Sequence, residues 1–370
     1  MPRVLEWNAQ ADRLALVQEA VEALRAGQVV ALPTETVYGL AADASSVEAV
    51  ERLVHCKGRP EDKPLALALA HPDDLPLWVP KPSTLARRLS RRCWPGPVTL
   101  VFSQGFEVER LPERVRPRVC GRGTLGIRVP AHEAILAVLE MLDRPVVLTS
   151  ANRSGEPDAV TGQEVVAALG DAIPVVVDAG PTRYRKPSSV VRIGDDAWEM
   201  LREGVVSAEA LQQLAGRWIL FVCTGNTCRS PLAEALCKKF LAEHLGCLPE
   251  DLPKRGYLVQ SAGLGAFPGG SPSDEAAAAA QARGVDLSGH VTRPLSETLL
   301  AQADLVLAMT RGHLQALEDL MPAGDGPTLE LLDPEGKDVT DPLGGERAAY
   351  DQCAEQIERC LRSRLPQLLA

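Results

Sequence analysis

Cys223 and Arg229 bracket a short loop, Thr224-Gly225-Asn226-Thr227-Cys228, and Ser230 follows at once. The string lies after an apolar run, WILFVC, and before a helical one. A cysteine there meets the unpaired N–H groups and positive end of a helix, which favour a thiolate. A loop of this length can curl around a tetrahedral phosphoryl group with its amides turned inward. Gly225 is expected to take backbone angles closed to other residues. Arg229 suits two-pronged hydrogen bonding to phosphoryl oxygens, and Ser230 a hydrogen bond toward Cys223. The implied chemistry is attack by sulfur on phosphorus, then hydrolysis of a cysteinyl-phosphate. It needs an acid for the leaving group and a base for water. Asp341, in DPLGG, is the candidate, since the proline and glycines shape a loop able to carry it over the pocket; Asp338 and Asp333 are secondary. Cys228 is either a partner for a reversible disulfide with Cys223 or a packed loop thiol.

The first half shows no nucleophile–base pair. It offers polar and cationic segments that interrupt buried strands: PTETVYGLAAD (33–43), KGRPEDKPL (57–65) and TSANRSGEP (149–157). Lys57, Arg59 and Lys63 lie within one short segment and would make a triphosphate clamp. Ser150 and Asn152 emerge at the carboxyl end of the strand PVVLTS, where α/β folds place ligand sites.

The elements that must hold these groups are α/β in kind. An opening helix carries Leu14, Val17, Val21 and Leu24 on one stripe, with Gly27 as a left-handed stop. Strands are predicted at QVVALP, LALALA, PVTLVF, TLGIRVP, PVVLTS and IPVVVDAG. Short helices are predicted near 132–142 and 162–169, and PSSVVRI and AWEMLREG read as paired strands or a strand and turn. A boundary falls around 209–217, after which WILFVC, the loop and a helix over 230–244 restart the pattern. Strand LVQSAG, a helix started by Ser271 and Pro272 and stopped near Gly284, strand ADLVLAM and a last helix over 346–365 complete it. That helix carries Ala349, Cys353, Ile357, Leu361 and Leu365 on one side.

With 370 residues, two domains are expected. The net charge of −10 argues against non-specific nucleic-acid binding, stable DNA binding included. No run is suited to crossing a membrane, and MPRVLEWNAQADR has no apolar core of an export signal. The nine cysteines lack the spacing of a disulfide framework or a zinc site and read as reduced thiols of a cytoplasmic protein. Cys237, Cys247, Cys353 and Cys360 read as structural. No metal site is expected from the residues.

Residues 218–370 resemble the low-molecular-weight protein-tyrosine-phosphatase family, through CTGNTCRSPLAEA, SAG at Ser261 and DPLGG at Asp341. The resemblance implies that Cys223 is nucleophile, Arg229 phosphate clamp and Asp341 general acid, acting on a phosphorylated protein. Thr227 stands where phosphotyrosine enzymes often carry Ile and resembles the bacterial arginine-phosphatase branch. Leu343 replaces a common aromatic, which leaves phosphoarginine ahead of phosphotyrosine, with Phe267 as one candidate pocket wall. Arsenate reduction and mere phosphate binding are the alternatives.

Residues 9–206 resemble the threonylcarbamoyl-AMP synthase family, through PTETVYGL, KGRPEDKPL, WPGPVTLV, GIRVP, TSANRSGEP and PSSVV in order. That likeness implies a twisted mixed sheet with an open ligand cavity; residues 207–217 read as linker, and the phosphatase resemblance implies a three-layer α/β domain with a central parallel sheet beyond. It implies synthesis of threonylcarbamoyl-adenylate from L-threonine, bicarbonate and ATP, for tRNA N6-threonylcarbamoyladenosine at position 37. Thr34, Arg128, Ser150 and Ser188 would lie near threonine, and Lys57, Arg59, Lys63, Asn152 and Arg202 near ATP. Mg2+ would come with the nucleotide, and the product would pass to the tRNA threonylcarbamoyl-transfer machinery. A non-catalytic module binding nucleotide or double-stranded RNA is the alternative.

Overall fold

The computed structural model describes residues 1–321 and 326–369. They form two compact units, Met1–Leu211 and Gln212–Ala370. Among the described residues no helix is long and apolar enough to cross a membrane.

The first unit is built on a single mixed sheet. Its strands are β1 (Arg3–Glu6), β2 (Val30–Leu32), β3 (Gly39–Asp43), β4 (Ala66–Ala68), β5 (Val98–Phe102), β6 (Leu125–Arg128), β7 (Val146–Ser150), β8 (Val175–Asp178), β9 (Ser189–Ile193) and β10 (Trp198–Arg202). They lie in the order β1-β8-β2-β3-β7-β4-β6-β5-β9-β10. The pairs β1/β8, β2/β8, β4/β6 and β5/β9 are parallel and the others antiparallel, three of these running consecutively from β2 to β4. The helices are α1 (Arg13–Arg25), α2 (Val47–Lys57), α3 (Thr84–Cys93), α4 (Arg116–Val119), α5 (Glu133–Leu142) and α6 (Gly162–Leu169), with α7 (Ala208–Ala215) at the junction.

Helix α1 starts where the Asp12 carboxylate accepts the Ala15 N–H, and Gly27 follows it with φ of +73°. Val17, Val21 and Leu24 pack with Ile135, Val138 and Leu142 of α5, as the apolar stripe predicts. Leu14 departs from the stripe and is 60% exposed in the first turn, so the buried face begins one turn later. Strand β3 was not expected: GLAAD reads as a polar ligand segment, yet all its residues are buried. Pairing between β2 and β7 decides its state, since Gly and Ala carry little strand preference of their own. The two last strands pair antiparallel, as one of the two readings of PSSVVRI and AWEMLREG expects.

In the second unit β11 (Arg217–Cys223), β12 (Tyr257–Gly263), β13 (Leu305–Ala308) and β14 (Thr328–Leu331) form a parallel sheet in the order β12-β11-β13-β14. The helices are α8 (Arg229–Leu245), α9 (Asp274–Gln281), α10 (Glu297–Gln302), α11 (Arg311–Leu320) and α12 (Arg347–Leu369). Strand β11 alternates in strict period two. Ile219, Phe221 and Cys223 face a core shared with α8, α9 and α12, while Leu220 and Val222 face a second core with Leu300, Val306 and Leu317. The sheet is therefore covered on both faces, as a parallel sheet must be.

Helix α9 begins later than Ser271 and Pro272 suggest. Its cap is Ser273, whose hydroxyl accepts the Ala276 N–H at 3.3 Å and whose own N–H donates to Thr227 O. The packing of that serine against the Cys223 loop sets the start. The last helix buries Cys353, Ile357 and Leu361 as expected, adds Tyr350 and Cys360, and continues to Leu369.

Candidate active sites

Strand β11 delivers Cys223 to the sheet's carboxyl end, and α8 begins at Arg229, so the loop between them is pinned at both ends by regular structure. Cys223 is buried, and its sulfur lies 2.9 Å from Ser230 Oγ. Asn226 Nδ2 donates to that same oxygen at 2.9 Å, so the serine proton has two acceptors in reach, the nearer Cys223 sulfur and Ala262 O at 3.4 Å. The Asn226 N–H donates to Cys223 Sγ at 3.3 Å, so an amide of the loop turns inward.

The residue in the left-handed region is Asn226, with φ of +56°, and not Gly225 as expected. Asn tolerates that region, and its side chain is held there on every side. It donates to Ser230 and Ser261, and its Oδ1 accepts the Arg293 N–H at 2.8 Å. His290 Nε2 lies 2.9 Å from Asn226 O. The glycine the loop requires is Gly263, at the end of β12. A Cβ there would lie 2.5 Å from Thr224 O and 2.9 Å from Asn226 N. The SAG string was the signal for it.

Arg229 is 5% exposed; its Nη1 donates to Val339 O and its Nη2 to Asp341 Oδ2 at 2.5 Å. Asp341 is 47% exposed, so one end of this pair is open to solvent. The secondary candidates are engaged elsewhere: Asp338 accepts the Arg311 N–H and Asp333 the Glu335 N–H. The structure thus brings Asp341 to the clamp.

Cys228 is buried beside Ser273 Oγ at 3.2 Å and Tyr350 OH at 4.0 Å, and Thr227 Oγ1 lies 3.5 Å from its sulfur. Burial pushes Cys353 up to about 12 and Cys360 up to about 11, and raises Cys237 as well, consistent with inert packed thiols. Phe267 and Leu343 are 86% and 70% exposed.

The first unit holds a cavity of about 330 Å³ lined by Thr34, Arg59, Arg128, Ser150, Ser188 and Arg202, among others. Arg128 is buried and donates to Glu35 Oε1 at 2.6 Å, Thr36 Oγ1 at 2.9 Å and Gly96 O. Glu35 is a buried acid that sequence reasoning passed over; it neutralises Arg128 and also accepts the Ala131 N–H. Arg59 donates to Thr149 Oγ1 and Pro64 O, and Arg202 to Ser188 O at 2.8 Å. Burial, then the facing Arg202, lowers the pKa of Arg59, and burial with Arg128 lowers that of Arg202. Guanidiniums that repel one another in a shared cavity make a seat for an anion.

The three cations of the expected clamp take different places in the structure. Lys57 is 4% exposed, and its ammonium donates to Ser150 O at 2.6 Å, Asn152 Oδ1 at 2.7 Å and Asn152 O at 3.1 Å. It ties the strand end from behind, and Asn152 is buried with it, outside the cavity lining. Lys63 is exposed, and its carbonyl accepts from Arg59. Of these cations Arg59 reaches the cavity. Among the described residues no group of His, Cys, Asp and Glu is arranged to hold a metal.

These two sites define a mixed-sheet unit with an arginine-lined cavity and a cysteine-loop unit of phosphatase type. The Telomere recombination family of Sua5, YciO and YrdC matches residues 22–204, and the Low molecular weight phosphotyrosine protein phosphatase family matches residues 218–370. The threonylcarbamoyl-AMP synthase of Shigella flexneri is 37% identical, matching 53% of this chain and 98% of its own length. That of Pyrococcus abyssi is 34% identical over 58% of this chain and 59% of its own length, and that of Bacillus subtilis 37% identical over 54% and 56%. The chain thus spans less than two thirds of the length of those two relatives. The structure of P. abyssi Sua5 complexed with L-threonine is 25% identical, covering 70% of this chain and 92% of that chain, with a TM-score of 0.53. Bacillus subtilis YwlE, an arginine phosphatase, is 38% identical over 42% of this chain and 100% of that chain, with a TM-score of 0.36. The chain belongs to the Sua5/YrdC threonylcarbamoyl-AMP synthase family in its N-terminal half, fused to a low-molecular-weight phosphatase domain.

Proposed function

We propose that the chain is bifunctional: its first unit forms threonylcarbamoyl-adenylate, and its second hydrolyses phosphoarginine on proteins. For the first reaction the carrying observation is the cavity in which Arg59 and Arg202 crowd together beside the neutralised Arg128–Glu35 pair. The threonine amine adds to CO2 and gives up a proton, or adds to bicarbonate with loss of water, and either route gives a carbamate. A carbamate oxygen then attacks the α-phosphorus of ATP, and the bond to pyrophosphate breaks. Little covalent help is needed, so positioning and charge neutralisation supply the rate. Arg128, Thr34, Ser150 and Ser188 are the candidates to hold threonine, and Arg59 and Arg202 the phosphates. Mg2+ fits as the counter-ion of the nucleotide, neutralising its phosphates, since the cavity lining carries no carboxylate. The adenylate would serve the machinery that modifies tRNA adenosine-37. Pyrophosphate release that requires both L-threonine and bicarbonate tests this; release independent of either removes the reading.

For the second reaction the carrying observation is Cys223 sulfur facing the Asn226 amide and Ser230 hydroxyl, with Arg229 paired to the half-exposed Asp341. The thiolate attacks phosphorus while Asp341 protonates the leaving nitrogen. The cysteinyl-phosphate is then hydrolysed by water that Asp341 deprotonates. Phosphoarginine is favoured over phosphotyrosine by Thr227 in the loop and by Leu343, an exposed aliphatic residue where the family commonly has an aromatic one. Rates on matched phosphoarginine and phosphotyrosine peptides decide between them; faster turnover of phosphotyrosine would reverse the assignment.

A further inference from the structure

The phosphatase reading uses the Cys223 loop, Arg229 and Asp341, and leaves the buried imidazole of His313, which touches that loop, without a role. His313 sits in the first turn of α11 and is 8% exposed. Both of its ring nitrogens are bound: Nδ1 lies 2.9 Å from Thr310 Oγ1 and Nε2 2.8 Å from Thr224 Oγ1. Thr310 is the cap of the same helix and its hydroxyl also accepts the His313 N–H at 3.3 Å. The imidazole is therefore fixed to a rigid helix end, and its far nitrogen reaches the first residue of the phosphate loop.

We infer that His313 is a positioning residue of the phosphatase site, holding Thr224 so that the loop keeps its anion-facing shape. This inference rests on the phosphatase reading. Thr224 is exposed, so its hydroxyl has water available and is not driven by burial to seek the ring. The bond is a tether at the loop's most accessible position. Gly265 N–H donates to Thr224 O at 2.9 Å and holds that carbonyl away from the anion. With the Thr224 side chain released, the neighbouring peptides gain freedom to rotate, and a carbonyl turned inward would repel phosphate. Burial, reinforced by Arg229 and opposed by Asp341 and Asp338, holds the imidazole below its ordinary pKa. A neutral ring beside the clamp leaves the charge of Arg229 for the ligand.

The test uses the full chain and two readouts. One is the concentration of inorganic phosphate that half-protects Cys223 from iodoacetamide, followed on the Cys223 peptide by mass spectrometry. The other is kcat and KM for p-nitrophenyl phosphate. His313→Ala is expected to raise the half-protecting concentration about 5- to 10-fold, the worth of one hydrogen bond. His313→Gln, which keeps a donor, should recover most of that loss. Thr224→Val should reproduce His313→Ala, and the double variant should be no worse than either alone. Independent, multiplying losses, or unchanged protection in both single variants, would overturn the inference. If His313→Ala does not fold, Thr224→Val and His313→Gln carry the comparison. A wild-type chain that phosphate does not protect at all would instead overturn the phosphatase reading, and the inference with it.

Discussion

The guanidinium of Arg229 and the carboxylate of Asp341 meet at 2.5 Å, one buried and the other half-exposed to solvent. The phosphate clamp and the candidate acid are thus partners before any phosphoryl group arrives, and a ligand must share Arg229 with Asp341.

Replacing that acid separates binding from turnover. Asp341→Asn should lower kcat on a phosphoarginine peptide by about 10²-fold or more, the usual worth of a general acid–base group. Inorganic phosphate should protect Cys223 as well as before or better, because Arg229 loses a competing charge. Quenched-reaction mass spectrometry should show phosphorylated Cys223 accumulating. Equal losses in binding and turnover would place Asp341 in the clamp alone.

Gly263 tests the close approach beneath the loop. Its Cβ would meet Thr224 O at 2.5 Å and Asn226 N at 2.9 Å, both backbone atoms that cannot swing aside. Gly263→Ala should therefore cost about 1–3 kcal/mol of stability in overpacking and impair phosphate protection of Cys223. Urea denaturation and alkylation kinetics measure the two effects. A variant with unchanged melting and activity would mean the loop has room that its geometry denies.

Thr227 is half-buried in the loop, and its hydroxyl lies 3.5 Å from Cys228 sulfur. Thr227→Ile exchanges a polar group for an apolar, bulkier one at the pocket. The ratio of kcat/KM for phosphoarginine over phosphotyrosine peptides should fall by about 10-fold or more. A constant ratio would move the selectivity elsewhere.

Lys57 predicts a pH dependence in the first unit. Burial, reinforced by Arg59, pushes its pKa down to about 8, against about 10.4 for a free lysine. Between those values the folded protein holds fewer protons than the unfolded chain. This group therefore adds stability as pH rises from about 8 toward 10, and that contribution is lost as pH falls through 8. Lys57→Met should destabilise the unit by roughly 1–3 kcal/mol, because Ser150 O and the Asn152 oxygens lose their donor. It should also flatten the rise in stability between about pH 7.5 and 9.5. Denaturation of both proteins at the two pH values checks the sign.

How much of this was written in the residues depends on the distance over which each feature is decided. Cys223, its loop, Arg229 and the alternation of WILFVC are local: covalent neighbours set a strand, a tight turn and a helix start within one short stretch. The chemistry of that stretch follows from residue types alone. So does the stripe of α1, since helical periodicity is a property of the chain itself.

The partners of charged side chains are decided otherwise. Lys57 was expected to face a phosphate and instead turns to Ser150 and Asn152, 93 and 95 positions away. That contact exists because β7 is brought past the end of α2 by the sheet order, which no local pattern encodes. Glu35 finds Arg128 across a separation of 93 residues in the same way, and GLAAD becomes a strand because two neighbours pair with it. Even inside the Cys223 loop, the left-handed residue is Asn226 and not the glycine beside it. Its strain is met by Ser261 and Arg293, which only tertiary folding delivers. The amino-acid sequence by itself named the reacting groups; the tertiary structure chose which of them face a ligand and which are used to hold the others in place.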